Sequence, residues 1–436
     1  MTASPNTSLK KQISSSSFLF ALLLLVAPLT SYAERRPNII VILADDLGCG
    51  DLSLYNGWVK TPRIDKMARE GMNFTDFHTN SSVCSPTRTA FLTGRYQQRY
   101  GIVDVIVGAK DTRGLLPSVP TIPRAFKDKG YQTAIFGKWH LGHADKYNPI
   151  HHGFDEYIGF LNGGSDYHVH NQWKVGLKTQ DVPGYSTDLI TNNSVDFIKR
   201  NKDKPFFLYV SHAAVHNPYQ TPADKPETRT KRRWNRVNES NRPRYKIILE
   251  EMDKGVGEIL DTLVELGLDK NTLVFFFSDN GDVKMSPQER PYRGGKFSQF
   301  EGGHRVPAIA WWPGKVKAGS ESDAFIIGMD LFPTFTEIAG LSDSNPDNLD
   351  GISAKAHILE QKAFPQRDIF FGYEPKLGTA MRRGDWKMIV KENDIQLYDL
   401  KNDLKETTNV ASKHPHKAEQ MHKAIKDFKI TVIEGS

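Results

Sequence analysis

With 436 residues, 39% of them hydrophobic and 25% charged, the chain is not intrinsically disordered and is long enough for a large core or for two domains. Its net charge of +6 favours a polyanionic partner over a cationic one, and with no nucleic-acid module recognisable, no nucleic acid is expected among its partners. The two cysteines, Cys49 and Cys84, exclude a scaffold built on disulfides.

At the N-terminus, Lys10 and Lys11, a serine run, the apolar stretch 18–26 and the small-x-small site Ser31-Tyr32-Ala33 read as a secretory signal peptide over residues 1–33. The mature protein is therefore expected to be exported, periplasmic or secreted. No further apolar run is long enough to span a bilayer, so no integral membrane association is expected.

The next run, Ile39-Ile40-Val41-Ile42-Leu43-Ala44, is continuously apolar and ends in Asp45-Asp46. Such a run suits a strand buried on both faces of a parallel sheet. The same grammar recurs at 131–136, which leads into Gly137-Lys138-Trp139-His140, at 206–210, which leads into Ser211-His212 and then His216, and at 273–277, which leads into Ser278-Asp279-Asn280. Helical segments are predicted between these strands, at 63–70, 86–92, 121–129, 186–201 and 243–266. Strand alternating with helix implies an α/β fold, a mainly parallel central sheet covered by helices. In open sheets of this kind ligands bind at the carboxyl ends of the strands, so the four polar tips should converge.

A basic segment runs from Lys225 to Arg242 around Trp234. It reads either as a solvated loop or as a flank that attracts an anionic chain, with Trp234 as a stacking platform for a sugar ring. The grammar changes after Leu341. A polar linker, 342–350, separates the predicted catalytic domain, 34–350, from a predicted C-terminal α+β subdomain, 351–436. That subdomain carries short antiparallel strands at 368–373, 379–382, 386–390 and 395–400 and one helix at 416–432.

The chemistry begins at Cys84-Ser85-Pro86-Thr87-Arg88. Ser85 suits an N-cap and Pro86 the first helical position, which would put Cys84 at the mouth of a helix with Arg88 about one turn further in. Asp45, Asp46, Asp279 and Asn280 offer hard oxygen donors, which suit Ca²⁺ or Mg²⁺ better than zinc.

The stretch from Cys84 to Arg88, followed by Leu92-Thr93-Gly94-Arg95, resembles the type I sulfatases of the alkaline phosphatase-like superfamily, in which this cysteine is oxidised to formylglycine (3-oxoalanine). Gly137-Lys138-Trp139-His140, Gly294-Gly295-Lys296, Glu301-Gly302-Gly303-His304-Arg305-Val306-Pro307 and His216-Asn217-Pro218 resemble further blocks of that family. The resemblance implies metal ligation by Asp45, Asp46, Asp279, Asn280 and modified Cys84. It implies catalytic roles for Arg88, Lys138, His140, His216 and Lys296, with Lys138 and Lys296 on the sulfate and His216 or Lys296 as proton donor; His212 is the rival of His216.

His168, His304, Arg305 and Trp234 are the further candidates for binding substrate. The region 153–168 resembles bacterial sulfatases of polysaccharide breakdown. A sulfated carbohydrate is thus the implied substrate, a carrageenan-like galactan before a glycosaminoglycan, and a formylglycine-generating or maturase enzyme the implied partner. Two other readings stay open on the residues alone: a phosphatase or phosphodiesterase of the same superfamily, and a noncatalytic binder in which Cys84 remains a thiol.

Overall fold

The computed structural model describes residues 36–108, 110–225, 237–283, 291–374 and 378–434. The expected leader and Trp234 with its basic neighbours 226–236 lie outside the described residues. From Arg36 on, the chain forms one compact unit.

A ten-stranded sheet lies at its centre, with Asn38–Ala44 between Thr272–Ser278 and Phe206–Ser211, followed by Gln132–Lys138 and Glu156–Phe160. These five strands pair in parallel, whereas Ala308–Trp311 adds to the other edge of Thr272–Ser278 antiparallel. Along Asn38–Ala44, Ile39, Val41 and Leu43 enter one apolar layer while Ile40, Ile42 and Ala44 enter the other, which is why the run shows no alternation in sequence. Its register pairs Leu43 with Ser211 and Ala44 with Ser278, and Ser211 also pairs with Gly137. The four strands therefore end level, and the residues that follow them leave the sheet along one edge.

The helices form near their predicted places, as Pro62–Glu70, Cys84–Thr93, Ile122–Lys127, Ser186–Arg200 and Arg242–Glu265. One local expectation fails. The helix starts at Cys84, with extended Val83 as its cap residue, and the Ser85 hydroxyl accepts the Ile106 N–H at 3.2 Å instead of capping. The helix stops at Gly94 (φ +66°), whose N–H donates to the Ala90 carbonyl, and a Cβ there would lie 2.7 Å from Leu349 and 2.8 Å from Phe332.

The C-terminal strands Asp368–Glu374, Gly378–Arg383, Trp386–Lys391 and Asp394–Asp399 form an antiparallel four-stranded sheet, on which the helix Pro415–Glu434 packs. Phe370 stacks on Phe428 with ring centroids 4.1 Å apart. No helix among the described residues is long and apolar enough to cross a membrane.

Candidate active site

Asp45 and Asp46 leave the first strand at its carboxyl end. The Asp45 N–H donates to the Ala214 carbonyl at 2.9 Å, and Asp46 turns through the left-handed region (φ +64°) so that its N–H reaches Asp279 Oδ1 at 3.2 Å. One ligand atom from each of Asp45, Asp46, Cys84 and Asp279 lies within 4.8 Å of all the others, and all four residues are buried. Asn280 donates from Nδ2 to Asp46 Oδ1 at 2.8 Å, and among the described residues nothing donates a hydrogen bond to its buried Oδ1 or to the Asp46 Oδ2. Two buried oxygen acceptors without donors, in a cluster of carboxylates, fit a hard cation, whose charge would satisfy them.

Cations surround this cluster. Lys138 Nζ lies 2.6 Å from Asp45 Oδ2, and Lys296 Nζ lies 2.5 Å from Asp46 Oδ1 and 3.2 Å from Cys84 Sγ. Arg88 donates to Asp279 Oδ2 from Nε (3.0 Å) and Nη2 (2.8 Å), and to Ser211 Oγ at 2.7 Å from Nη1. Burial raises the Asp45 carboxyl to about 7; Lys138 opposes this, and Asp279 and Asp46 add to it. The Asp46 carboxyl is also penalised by burial, but Lys296, His216 and Lys138 hold it down at about 2. Burial, reinforced by Asp279, pushes the Cys84 thiol up to about 12 despite the two lysines, so as a thiol it is a poor nucleophile at neutral pH.

Cys84 and Lys296, which meet the cluster, also line a cavity of about 640 Å³ together with His140 and His216. His216 donates from Nδ1 to the Asn217 carbonyl at 2.7 Å, which leaves Nε2 3.7 Å from Asp46 Oδ2. Burial, with Lys296 and Lys138 nearby, lowers its imidazole to about 3 although Asp46 opposes the shift. His140, also in a left-handed conformation (φ +60°), donates from Nε2 to the Ile106 carbonyl at 3.0 Å, and burial beside Lys138 and Arg88 holds it neutral. The loop at Gly163 crosses directly over it, where a Cβ would come within 2.4 Å of its Nε2. His212 is fully buried, neither ring nitrogen makes a hydrogen bond among the described residues, and it does not line the cavity.

Three expected substrate contacts lie elsewhere. His304 is fully buried, with its Nδ1 2.9 Å from His78 Nδ1 and its Nε2 3.1 Å from Lys387 Nζ. Arg305 donates from Nε and Nη2 to the Thr75 carbonyl and pairs with Asp76 and Glu301. Both residues serve the junction with the C-terminal sheet, because their block folds as the short helix Glu301–His304 and aims them away from the cavity. His168 instead donates from Nε2 to the Thr221 carbonyl at 2.9 Å and packs against Tyr185. The cavity wall contains residues that motif reasoning did not select, among them Ile106, His143, Gln172 and Phe297. His143 follows His140 by one short loop, the one signal in sequence that could have found it.

The sulfatase family profile matches residues 37–341, which contain every member of this cluster. The chain belongs to the sulfatase family. It is accordingly a sulfuric ester hydrolase with the alkaline phosphatase-like fold. The profile of the N-sulphoglucosamine sulphohydrolase C-terminal region matches residues 295–431 of the sulfatase. Its relatives include human N-acetylgalactosamine-6-sulfatase, 36% identical over 372 residues, 78% of this chain and 69% of the relative. The arylsulfatase of Hemicentrotus pulcherrimus is 33% identical over 395 residues, 84% of this chain and 69% of the relative. Among solved structures, Ps i-CgsB in complex with k-i-k-neocarrahexaose is similar with a TM-score of 0.79 and 28% identity, covering 90% of this chain and 93% of that one. The PsFucS1 sulfatase of Pseudoalteromonas sp. is similar with a TM-score of 0.76 and 26% identity, covering 92% and 91%.

Proposed function

We propose that this sulfatase removes sulfate from a galacto-configured sugar of a sulfated polysaccharide or oligosaccharide, using formylglycine made from Cys84 and a bound Ca²⁺. The observation that carries the mechanism is the approach of Lys296 Nζ to within 3.2 Å of Cys84 Sγ, both lining the cavity beside a cluster of buried carboxylates. The sugar assignment rests on the shared chemistry of two similar proteins, one named for N-acetylgalactosamine-6-sulfate and one bound to a carrageenan oligosaccharide. A sulfated galactan comes first and a glycosaminoglycan second.

Asp45, Asp46, Asp279, Asn280 and residue 84 would hold the ion, which would supply positive charge that lowers the repulsion between an anionic ester and its nucleophile. As formylglycine, residue 84 would supply the oxygen nucleophile that a buried thiol does not. Arg88 fixes the Asp279 carboxylate through two N–H groups, and its role would be to stabilise the formylglycine oxygen at 84. Lys138 and Lys296 act as point charges for the sulfate oxygens. His216 stands at the cavity as proton donor to the leaving alcohol; an anionic ester entering beside it raises its proton affinity, which burial depresses when the cavity holds no substrate. The predicted leader supports export of the enzyme, to the periplasm or beyond.

Cys84 is 1% exposed, so a formylglycine-generating or maturase enzyme has to act before the chain folds. Mass analysis of the peptide holding residue 84, from active protein, should show the aldehyde, and Cys84→Ala should release no sulfate. Active protein carrying an intact thiol would sink the mechanism. Substrate choice is tested by comparing sulfate release from carrageenan and chondroitin 6-sulfate oligosaccharides with release from a sulfated glucosamine; preference for the last would overturn the galacto assignment.

The ion makes its own prediction. A cation needs the Asp45 carboxylate, which in the ion-free site keeps its proton up to about pH 7. Calcium affinity should therefore fall roughly tenfold for each pH unit below that point and level off above it. Calorimetric titrations at a series of pH values check this, and a flat profile would contradict it.

A further inference from the structure

Phe297 presents an aromatic ring at the cavity from a backbone conformation that an aromatic residue rarely adopts. It is 38% exposed and lines the cavity, and its backbone sits in the left-handed region (φ +68°), which an L side chain with a bulky Cβ substituent avoids. Glycine or asparagine would relieve that conformation, and a half-exposed ring adds little to a core. The conformation is nevertheless held firmly. The Lys296 N–H donates to the Asp282 carbonyl at 2.8 Å, that of Phe297 to Ser82 at 3.1 Å and that of Ser298 to Gly295 at 3.0 Å. The turn thus delivers Lys296 inward to Asp46 and Cys84 and leaves the next side chain at the cavity wall, with the Lys296 ammonium 5.7 Å from the centre of its ring. A strained residue held in place at a functional site is a sign of use.

The rest of the wall shows the use. Val105, Ile106 and Val107 contribute apolar surface, Val107 with 71% of its own surface exposed, while His143, Asn162 and Gln172 contribute polar edges. The His143 Nδ1–H donates to Asn162 Oδ1 at 2.6 Å, which fixes that ring. A pyranose has the matching division, with C–H faces and a hydroxyl rim, and a cavity of about 640 Å³ is in the range that encloses a small ligand. The geometry points to Phe297 as the platform on which the sulfated sugar ring stacks. Lys296 and Phe297 are then one two-residue device: the first binds the sulfate, the second holds the ring that carries it. This rests on the carbohydrate reading above.

The test uses Cys84→Ala protein, so that binding is measured without turnover or maturation. Calorimetry compares three ligands, a carrageenan tetrasaccharide, a chondroitin 6-sulfate tetrasaccharide and inorganic sulfate, on Phe297, Phe297→Asn and Phe297→Tyr versions with matched melting temperatures. Asparagine is at ease in the left-handed region, so Phe297→Asn removes the ring and keeps the turn. It should weaken the bound tetrasaccharide about tenfold, with Phe297→Tyr restoring it and inorganic sulfate staying within about twofold throughout. Unchanged tetrasaccharide affinity in Phe297→Asn would overturn the platform. So would an equal loss for tetrasaccharide and inorganic sulfate, because the residue would then act through Lys296. If the Cys84→Ala protein with Phe297 intact binds inorganic sulfate but neither tetrasaccharide, the carbohydrate reading itself fails and the platform falls with it.

Discussion

Replacing His216 by asparagine should lower kcat for a sugar sulfate by roughly 10²–10⁴-fold, the usual contribution of a positioned proton donor. The alkoxide that leaves a sugar carbon is strongly basic and needs a proton as the S–O bond breaks. Nitrophenolate does not, so sulfate release from 4-nitrophenyl sulfate should fall by less than about tenfold in the same variant. The assignment depends on position: His216 lines the cavity, with Nδ1 tied to the Asn217 carbonyl at 2.7 Å. His212 has neither ring nitrogen bonded among the described residues and no place in the cavity wall, so His212→Asn should leave the ratio of the two rates unchanged. Equal losses on both substrates in His216→Asn would show that the residue only holds Asp46, whose Oδ2 is 3.7 Å away.

Lys387→Met should destabilise the protein by about 3–5 kcal/mol, the cost of leaving buried charge without its partner. Lys387 is fully buried in the C-terminal sheet, and its Nζ lies 3.0 Å from Glu301 Oε1 and 3.0 Å from Glu406 Oε1. Around it Asp76, Glu301 and Glu406 face Arg305, Arg382 and Lys387, with His78 and His304 between them. Removing one cation leaves three carboxylates against two. Burial already pushes the Glu406 carboxyl up, so adding Glu406→Gln should recover part of the loss. Urea unfolding of the single and double variants measures both effects; a shift below about 1 kcal/mol for Lys387→Met would mean that the network is neutral to the fold.

The same network explains one limit of motif reading. Glu301, His304 and Arg305 form a conspicuous polar block in sequence, and substrate binding was the natural expectation for the last two. In the fold, the carboxylates and cations they meet come from Asp76, Arg382 and Lys387, which no local pattern brings near them. Phe297 is the converse case. It looks unremarkable beside Lys296, and its function is visible only once a positive φ sets its ring at the cavity wall.

By themselves, the residues determined the sheet and the direction in which its chemistry points. Unbroken apolar runs can be buried only between two layers, and each ends in polar groups, so parallel pairing with level ends gathers Asp45, Asp279, Lys138 and the loop of His216 along one edge. Tertiary structure decided which neighbouring groups enter that edge and which turn away. His212 or His216, cavity or junction for His304, cavity wall for Phe297: each depends on side-chain direction in the loops. Such loops carry no hydrophobic period of their own and are oriented by hydrogen bonds to residues distant in the chain.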